Sequence, residues 1–160
     1  MRQRAYIALG ANLEDPEAHV SAAIDALAKL PESTLVARSS LYRTAPVGLA
    51  AQPDFINAVA AVDTGIAPDD LLEALFAIER QFGRVRHEKN GPRTLDLDLL
   101  LYGDQVINTP HLHLPHPRLH LRAFVIVPLA EIAPDCRLPG RGTVAAWVPA
   151  TANQGIARLP

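Results

Sequence analysis

The chain has 160 residues, 49% hydrophobic and 20% charged, with a formal net charge of −2 at pH 7, which predicts one domain over residues 1–160 with a core of its own. The acidic balance excludes broad nucleic-acid binding, which depends on a basic surface that releases counterions. The longest apolar runs, Leu99–Leu101 and Phe124–Ala130, fall far short of the roughly 18 residues of a membrane span. A lone Cys136 excludes an internal disulfide framework or a multi-cysteine zinc site and suits a reducing, cytoplasmic home. Arg2 and Arg4 precede an apolar stretch, but Asn12, Glu14 and Asp15 cut it too short for a secretory signal.

In chain order, Tyr6–Leu9 reads as a first strand. Asp15 as N-cap and Pro16 at the first helical position open a helix whose apolar face is Val20, Ile24, Leu27 and Ala28. Leu35–Tyr42 reads as a second strand and Thr44–Asp54 as a Pro/Gly/Ala loop. Phe55–Val62 is a third strand, with Phe55, Asn57 and Val59 on one face. A second helix runs from Pro68 to Phe82, stopped by Gly83. After a basic loop to Thr94 comes Leu95–Tyr102, the clearest strand, and Gly103-Asp104 predicts a tight turn into a return strand Gln105–Ile107. A His/Pro-rich loop, a helical stretch over Phe124–Ile132 despite Pro128, and a short helix after Thr143 complete the chain. This order predicts an α+β fold, a ferredoxin-like α/β sandwich whose mainly antiparallel sheet has helices packed on it.

The sharpest chemical signal is Leu95-Asp96-Leu97-Asp98-Leu99. Period-2 geometry puts leucines through Leu101 on one face and both carboxylates on the other, about 6.6 Å apart at Cα. Like charges side by side on a strand repel, so a cation belongs between them; Mg²⁺ accepts one or two carboxylates together with phosphate oxygens. Directly upstream lie Arg80, Arg84, Arg86, His87, Lys89 and Arg93, and an arginine fork grips phosphate oxygens bidentately. A cationic loop beside a carboxylate pair is what a metal-nucleotide site needs. Glu79 falls inside the apolar arc of the second helix, where it either pairs with an arginine of the basic loop or serves the ligand site. His111, His113, His116 and His120 sit in a Pro-interrupted loop without zinc-ligand spacing, which favours phosphate contact over coordination. Gly140–Ala145 formally fits a dinucleotide fingerprint but too little chain follows for a βαβ unit, and no P-loop motif occurs. Phe55, Asn57, Phe124 and Thr44 are candidates for sandwiching a flat heterocycle, with ordinary core packing the alternative for Phe55 and the favoured reading of Phe124.

These residues resemble the 6-hydroxymethyl-7,8-dihydropterin pyrophosphokinase family. The resemblance is carried by Gly91-Pro92-Arg93-Thr94-Leu95-Asp96-Leu97-Asp98-Leu99-Leu100, by Gly83-Arg84-Val85-Arg86 after Glu79, and by Leu114-Pro115-His116-Pro117-Arg118 with Arg122-Ala123-Phe124-Val125. Tyr6–Leu13 and Tyr42–Gly48 support it, and the whole covers about Tyr6 to Pro134. The resemblance implies pyrophosphate transfer from ATP, as co-substrate, to a pterin hydroxymethyl group in folate biosynthesis. It implies two Mg²⁺ ions on Asp96 and Asp98, and ATP contacts from Arg84, Arg93, His116 and Arg122. It also implies pterin contacts from Thr44, Val47, Phe55, Asn57 and Phe124, with Glu79 in support. Arg84, Arg93, Asp96 and Asp98 are the expected catalytic set, and the base is left open between Asp98 and a metal-bound hydroxide. The chain is expected to be a cytoplasmic monomer acting on small molecules, with no nucleic-acid or membrane partner. Asn90 stands where many members carry Trp. The alternatives are a non-catalytic ferredoxin-like nucleotide- or pterin-binding module and a zinc hydrolase built on the histidine-rich loop.

Overall fold

The computed structural model describes residues 2–45, 52–83 and 95–160. β1 (Gln3–Ala11) is followed by α1 (Pro16–Ala28), β2 (Ser33–Arg38), β3 (Tyr42–Thr44), β4 (Phe55–Thr64), α2 (Pro68–Gln81) and β5 (Asp96–Tyr102). The main sheet runs β5-β1-β4-β3 with antiparallel pairs throughout, and β2 also pairs with β4. That is the ferredoxin-like arrangement expected from the order of elements.

Asp15 caps α1 by accepting a hydrogen bond from the Ala18 amide at 3.4 Å, with Pro16 at the helix start. The buried stripe of α1 is Val20, Ala23, Ile24 and Leu27; Ala28 is exposed, because the 3.6-residue period returns through Ala23 instead. α2 buries Leu71, Leu75, Ile78 and Glu79 and ends where Gly83 turns left-handed at φ +74. Both helices pack on the sheet face formed by Ala5, Ile7 and Leu9 of β1, Ala58, Ala60 and Val62 of β4, and Leu97 and Leu99 of β5.

Three further expectations are corrected. The strand read as Leu35–Tyr42 is two strands, β2 and β3, which pair in succession along one edge of β4. The break falls at Ser39, whose amide donates to Val59 O at 2.8 Å while its hydroxyl accepts from the Val59 amide at 2.9 Å. A side-chain oxygen thus replaces a ladder carbonyl. In β5 the register jumps from Ile7↔Leu99 to Tyr6↔Leu101, leaving a bulge at Leu100. Leu101 therefore joins Leu100 on the opposite face from Leu97 and Leu99. The Gly103 turn forms, with the Gln105 amide donating to Tyr102 O at 3.1 Å, but no strand returns along β5. Instead β6 (Ile107–Asn108) pairs with β7 (His113–Leu114). The outer edge of β5 is already used, by the His116 amide donating to Leu100 O at 2.9 Å and by Glu79 accepting from the Leu97 amide at 2.7 Å.

The second sheet face is covered by a third layer, α3 (Ala123–Ile132) with Pro128 buried inside it. Tyr6, Ala8, Val59, Ala61, Leu100 and Leu101 meet Val125, Ile126 and Leu129 there. The chain then forms β8 (Arg137–Leu138), β9 (Gly142–Thr143), α4 (Val144–Trp147) and β10 (Ile156–Arg158), which adds to the sheet beside β3. No helix among the described residues is long and apolar enough to cross a membrane.

Candidate active site

On the α3 side the sheet changes character toward one end. The β-register aligns Asp96 of β5, Gly10 of β1, Asn57 of β4 and Tyr42 of β3 in a single cross-strand row. In the next row, Asp98 stands beside Ala8 and Val59. Asp96 and Asp98 are both partly exposed, and small neighbours at positions 8 and 10 leave space over β1 for whatever the carboxylates hold. Gly10 permits a close approach: a Cβ there would stand 3.0 Å from Asn57 Oδ1, which would have to shift. The other end of that amide donates to Thr44 Oγ1 at 2.7 Å, and Asn57 and Thr44 are both buried. With Gly10 on one side and Thr44 on the other, the amide plane of Asn57 is set. Thr44 is paired with Phe55 in the β3–β4 register, so that ring lies at the end of the same face as Asn57.

The opposite wall comes from the loop before α3 and the first turn of that helix. His116 is anchored through its amide on Leu100 O, and its Nδ1 accepts from the Arg118 amide at 3.2 Å. Burial, then the positive charges of Arg122 and Arg118, push its pKa down to about 4, against an opposing pull from Asp96. At neutral pH the ring is therefore uncharged with its proton on Nε2, a hydrogen-bond donor. The Arg122 guanidinium carbon lies 5.4 Å from the centroid of the half-buried Phe124 ring, a cation–π contact.

Thus Asp96, Asp98, Thr44, Phe55, Asn57, His116, Arg122 and Phe124 gather on the α3 side of the sheet. Glu79 does not join them. It is 3% exposed and reaches β5 from α2, holding the amide of Leu97 between the two aspartates. Val47, Arg84 and Arg93 lie outside the described residues, as does Asn90. The histidine-rich segment disperses: His111 and His113 are exposed, and His120 is buried edge-on against Trp147 with ring centroids 4.8 Å apart. Among the described residues no group of three or more His, Cys, Asp or Glu side chains is placed to hold a metal ion.

Sequence reasoning missed Glu131. It accepts from the Ser40 amide at 2.9 Å and from Tyr42 OH at 2.6 Å, and lies 3.4 Å from Arg158, tying α3 to β3. Burial opposes its ionisation, but Tyr42, Ser40 and Arg158 prevail and lower its pKa, while burial and Glu131 push Tyr42 up to about 12. The available signal was one charge in the otherwise apolar sequence of α3.

The sequence pattern of the 7,8-dihydro-6-hydroxymethylpterin-pyrophosphokinase family matches residues 6–134. The 2-amino-4-hydroxy-6-hydroxymethyldihydropteridine pyrophosphokinase of Pseudomonas aeruginosa is 52% identical over 160 residues, covering 100% of this chain and 99% of its own. The Haemophilus influenzae protein of the same description is 45% identical over 155 residues, covering 97% of each. In fold, the chain is similar to Plasmodium falciparum HPPK-DHPS solved with pteroate, at a TM-score of 0.75 and 13% identity. That match spans 94% of this chain and 42% of the other. The family pattern over residues 6–134 and the full-length identity agree, and the chain belongs to the 7,8-dihydro-6-hydroxymethylpterin-pyrophosphokinase family.

Proposed function

We infer that the chain transfers the pyrophosphoryl group of ATP to the hydroxymethyl group of 6-hydroxymethyl-7,8-dihydropterin, a step of folate biosynthesis, and that it does so on the α3-side face of the sheet, at the end that carries Asp96 and Asn57. The observation that carries this site assignment is the cross-strand row in which Asp96 and a fixed Asn57 amide flank Gly10. A phosphate-handling end and a heterocycle-reading end thus lie on one sheet face, about two strand spacings or 10 Å apart.

Asn57 and Thr44 read the hydrogen-bonding edge of the pterin, and Val47 is a further pterin contact. Phe55 and Phe124 supply rings for its two faces. Arg122, the Nε2–H of His116, Arg84 and Arg93 contact ATP. Asp96 and Asp98 would hold two Mg²⁺ ions: two carboxylates on one strand, with small residues opposite, make an oxygen donor set completed by phosphate and water rather than an all-protein cage. The ions supply charge neutralisation and alignment of the phosphate chain. The hydroxyl oxygen bonds to the β-phosphorus, the bond from that phosphorus to the α,β-bridging oxygen breaks, and AMP leaves as the hydroxyl proton is lost. Catalysis then comes mainly from positioning and from preorganised positive charge. This reading includes a single-domain monomer working in the cytoplasm. The packing of both apolar clusters on one sheet supports the single domain.

The test is to mix the protein with ATP, Mg²⁺ and 6-hydroxymethyl-7,8-dihydropterin and separate AMP from ADP. AMP that forms only with the pterin present supports the reading. ADP, or no nucleotide product, overturns it.

A further inference from the structure

The residues after Pro134 fall outside the family match, yet one of them touches the site's wall at its most sensitive point. Gln154 Oε1 accepts from the Ala123 amide at 2.9 Å, and Gln154 Nε2 donates to Leu121 O at 2.7 Å. One side chain therefore grips the backbone on both sides of Arg122. Arg122 is the N-cap of α3 and makes no side-chain capping bond of its own. The Ala123 amide is among the helix's first N–H groups, which have no partner within the helix, and Gln154 satisfies it from 31 residues away. Two residues further on, β10 begins, with Ile156 opposite Thr44, Arg158 opposite Tyr42, and the Leu159 amide donating to Leu41 O at 2.9 Å. A short C-terminal segment thus joins the start of α3, which carries Arg122 and Phe124, to β3, which carries Thr44.

We propose that Gln154 is a positioning residue for the reaction: its amide holds the Leu121–Ala123 backbone so that Arg122 and the Phe124 ring beneath it present to ATP and pterin, and β10 sets that wall's distance from Thr44. The proposal rests on the assignment of Arg122 to ATP and Phe124 to pterin given above. Gln154 is exposed, so its loss leaves the core intact. Freed of both bonds, the Arg122 backbone samples orientations that the bound state must then select against, which weakens apparent affinity in proportion to the competent fraction.

The test compares wild type with Gln154→Ala, Arg122→Ala, the double variant, and Asn153→Ala as a neighbouring surface control. The readouts are KM for ATP and for pterin, kcat, Tm, and hydrogen exchange at the Ala123 amide. Gln154→Ala is expected to raise KM for ATP about tenfold, the equivalent of one or two ordinary hydrogen bonds. It also speeds Ala123 exchange, with Tm close to wild type and Asn153→Ala silent. In the double variant the effects fall short of the product of the singles, because Gln154 acts through Arg122. Unchanged KM values in Gln154→Ala, with Arg122→Ala strongly impaired, overturn the clamp and leave the site assignment standing. A fall in Tm with unchanged KM overturns it in favour of a purely structural role. If Arg122→Ala leaves ATP binding intact, the site assignment fails and the clamp fails with it.

Discussion

The two faces of one sheet are built to opposite rules. Toward α1 and α2, every inward position of β1 and β4 from Ala5 to Ala11 and from Ile56 to Val62 is aliphatic, and the helices answer with Val20, Ile24, Leu27, Leu71 and Leu75. Toward α3, β1 and β4 carry the apolar Tyr6, Ala8, Val59 and Ala61 and, toward one end, Gly10 and Asn57, beside Asp96 and Asp98 of β5. The strand alternation lets each residue choice serve one face without disturbing the other. A dry face supplies stability, and that allows the other to keep two like charges on one strand and an open end, arrangements that cost stability by themselves.

The comparison breaks most sharply at Asp98. Asp98→Ala is expected to lower kcat by about 10²–10³-fold, as loss of support for transition-state charge does, while the chain remains folded. Steady-state kinetics with thermal melts check this, and retained turnover removes the α3 face from the chemistry. The mirror experiment is Ile24→Ala, a fully buried side chain of α1. It should cost about 2–5 kcal/mol in stability by denaturant titration and leave both KM values unchanged on the folded fraction. A shifted KM would mean that the two faces are coupled.

The smallest effect tests the seam that holds α3 onto the sheet. The pKa of Glu131 is lowered in the folded chain from a starting value of 4.5, so its contribution to stability is present above that value and is lost as pH falls through the folded pKa. Glu131→Gln should lower Tm at neutral pH and flatten the acid limb below about pH 4.5. An acid limb identical to wild type would show that this seam carries no pH-dependent stability.

Local pattern foretold the helix start at Asp15-Pro16, the stop at Gly83, a helix over Phe124–Ile132 and the alternation that puts Asp96 and Asp98 on one side of β5. It failed where a non-local partner competes. Leu101 looks like one more core leucine until the bulge at Leu100 turns it over, and Gln105–Ile107 looks like a hairpin arm until Glu79 and His116 occupy the edge it needed. Ser39 reads as mid-strand because nothing local announces that its hydroxyl stands in for a carbonyl.

The sequence by itself determined the order of the main helices and strands, the dry face and the alternation that sets Asp96 and Asp98 on one side of a strand, because periodicity and capping act within a few residues; His116, Arg122, Phe55 and Phe124 are assigned to the site by resemblance to the family rather than by local pattern. Tertiary structure alone decided that Asp96, Gly10 and Asn57 share a row, that His116 is neutral with Nε2 as donor, that Glu131 anchors Tyr42, and that Gln154 grips both sides of Arg122. Those contacts join residues tens of positions apart. Their geometry depends on strand register, on a bulge and on burial, which no local window of the chain encodes.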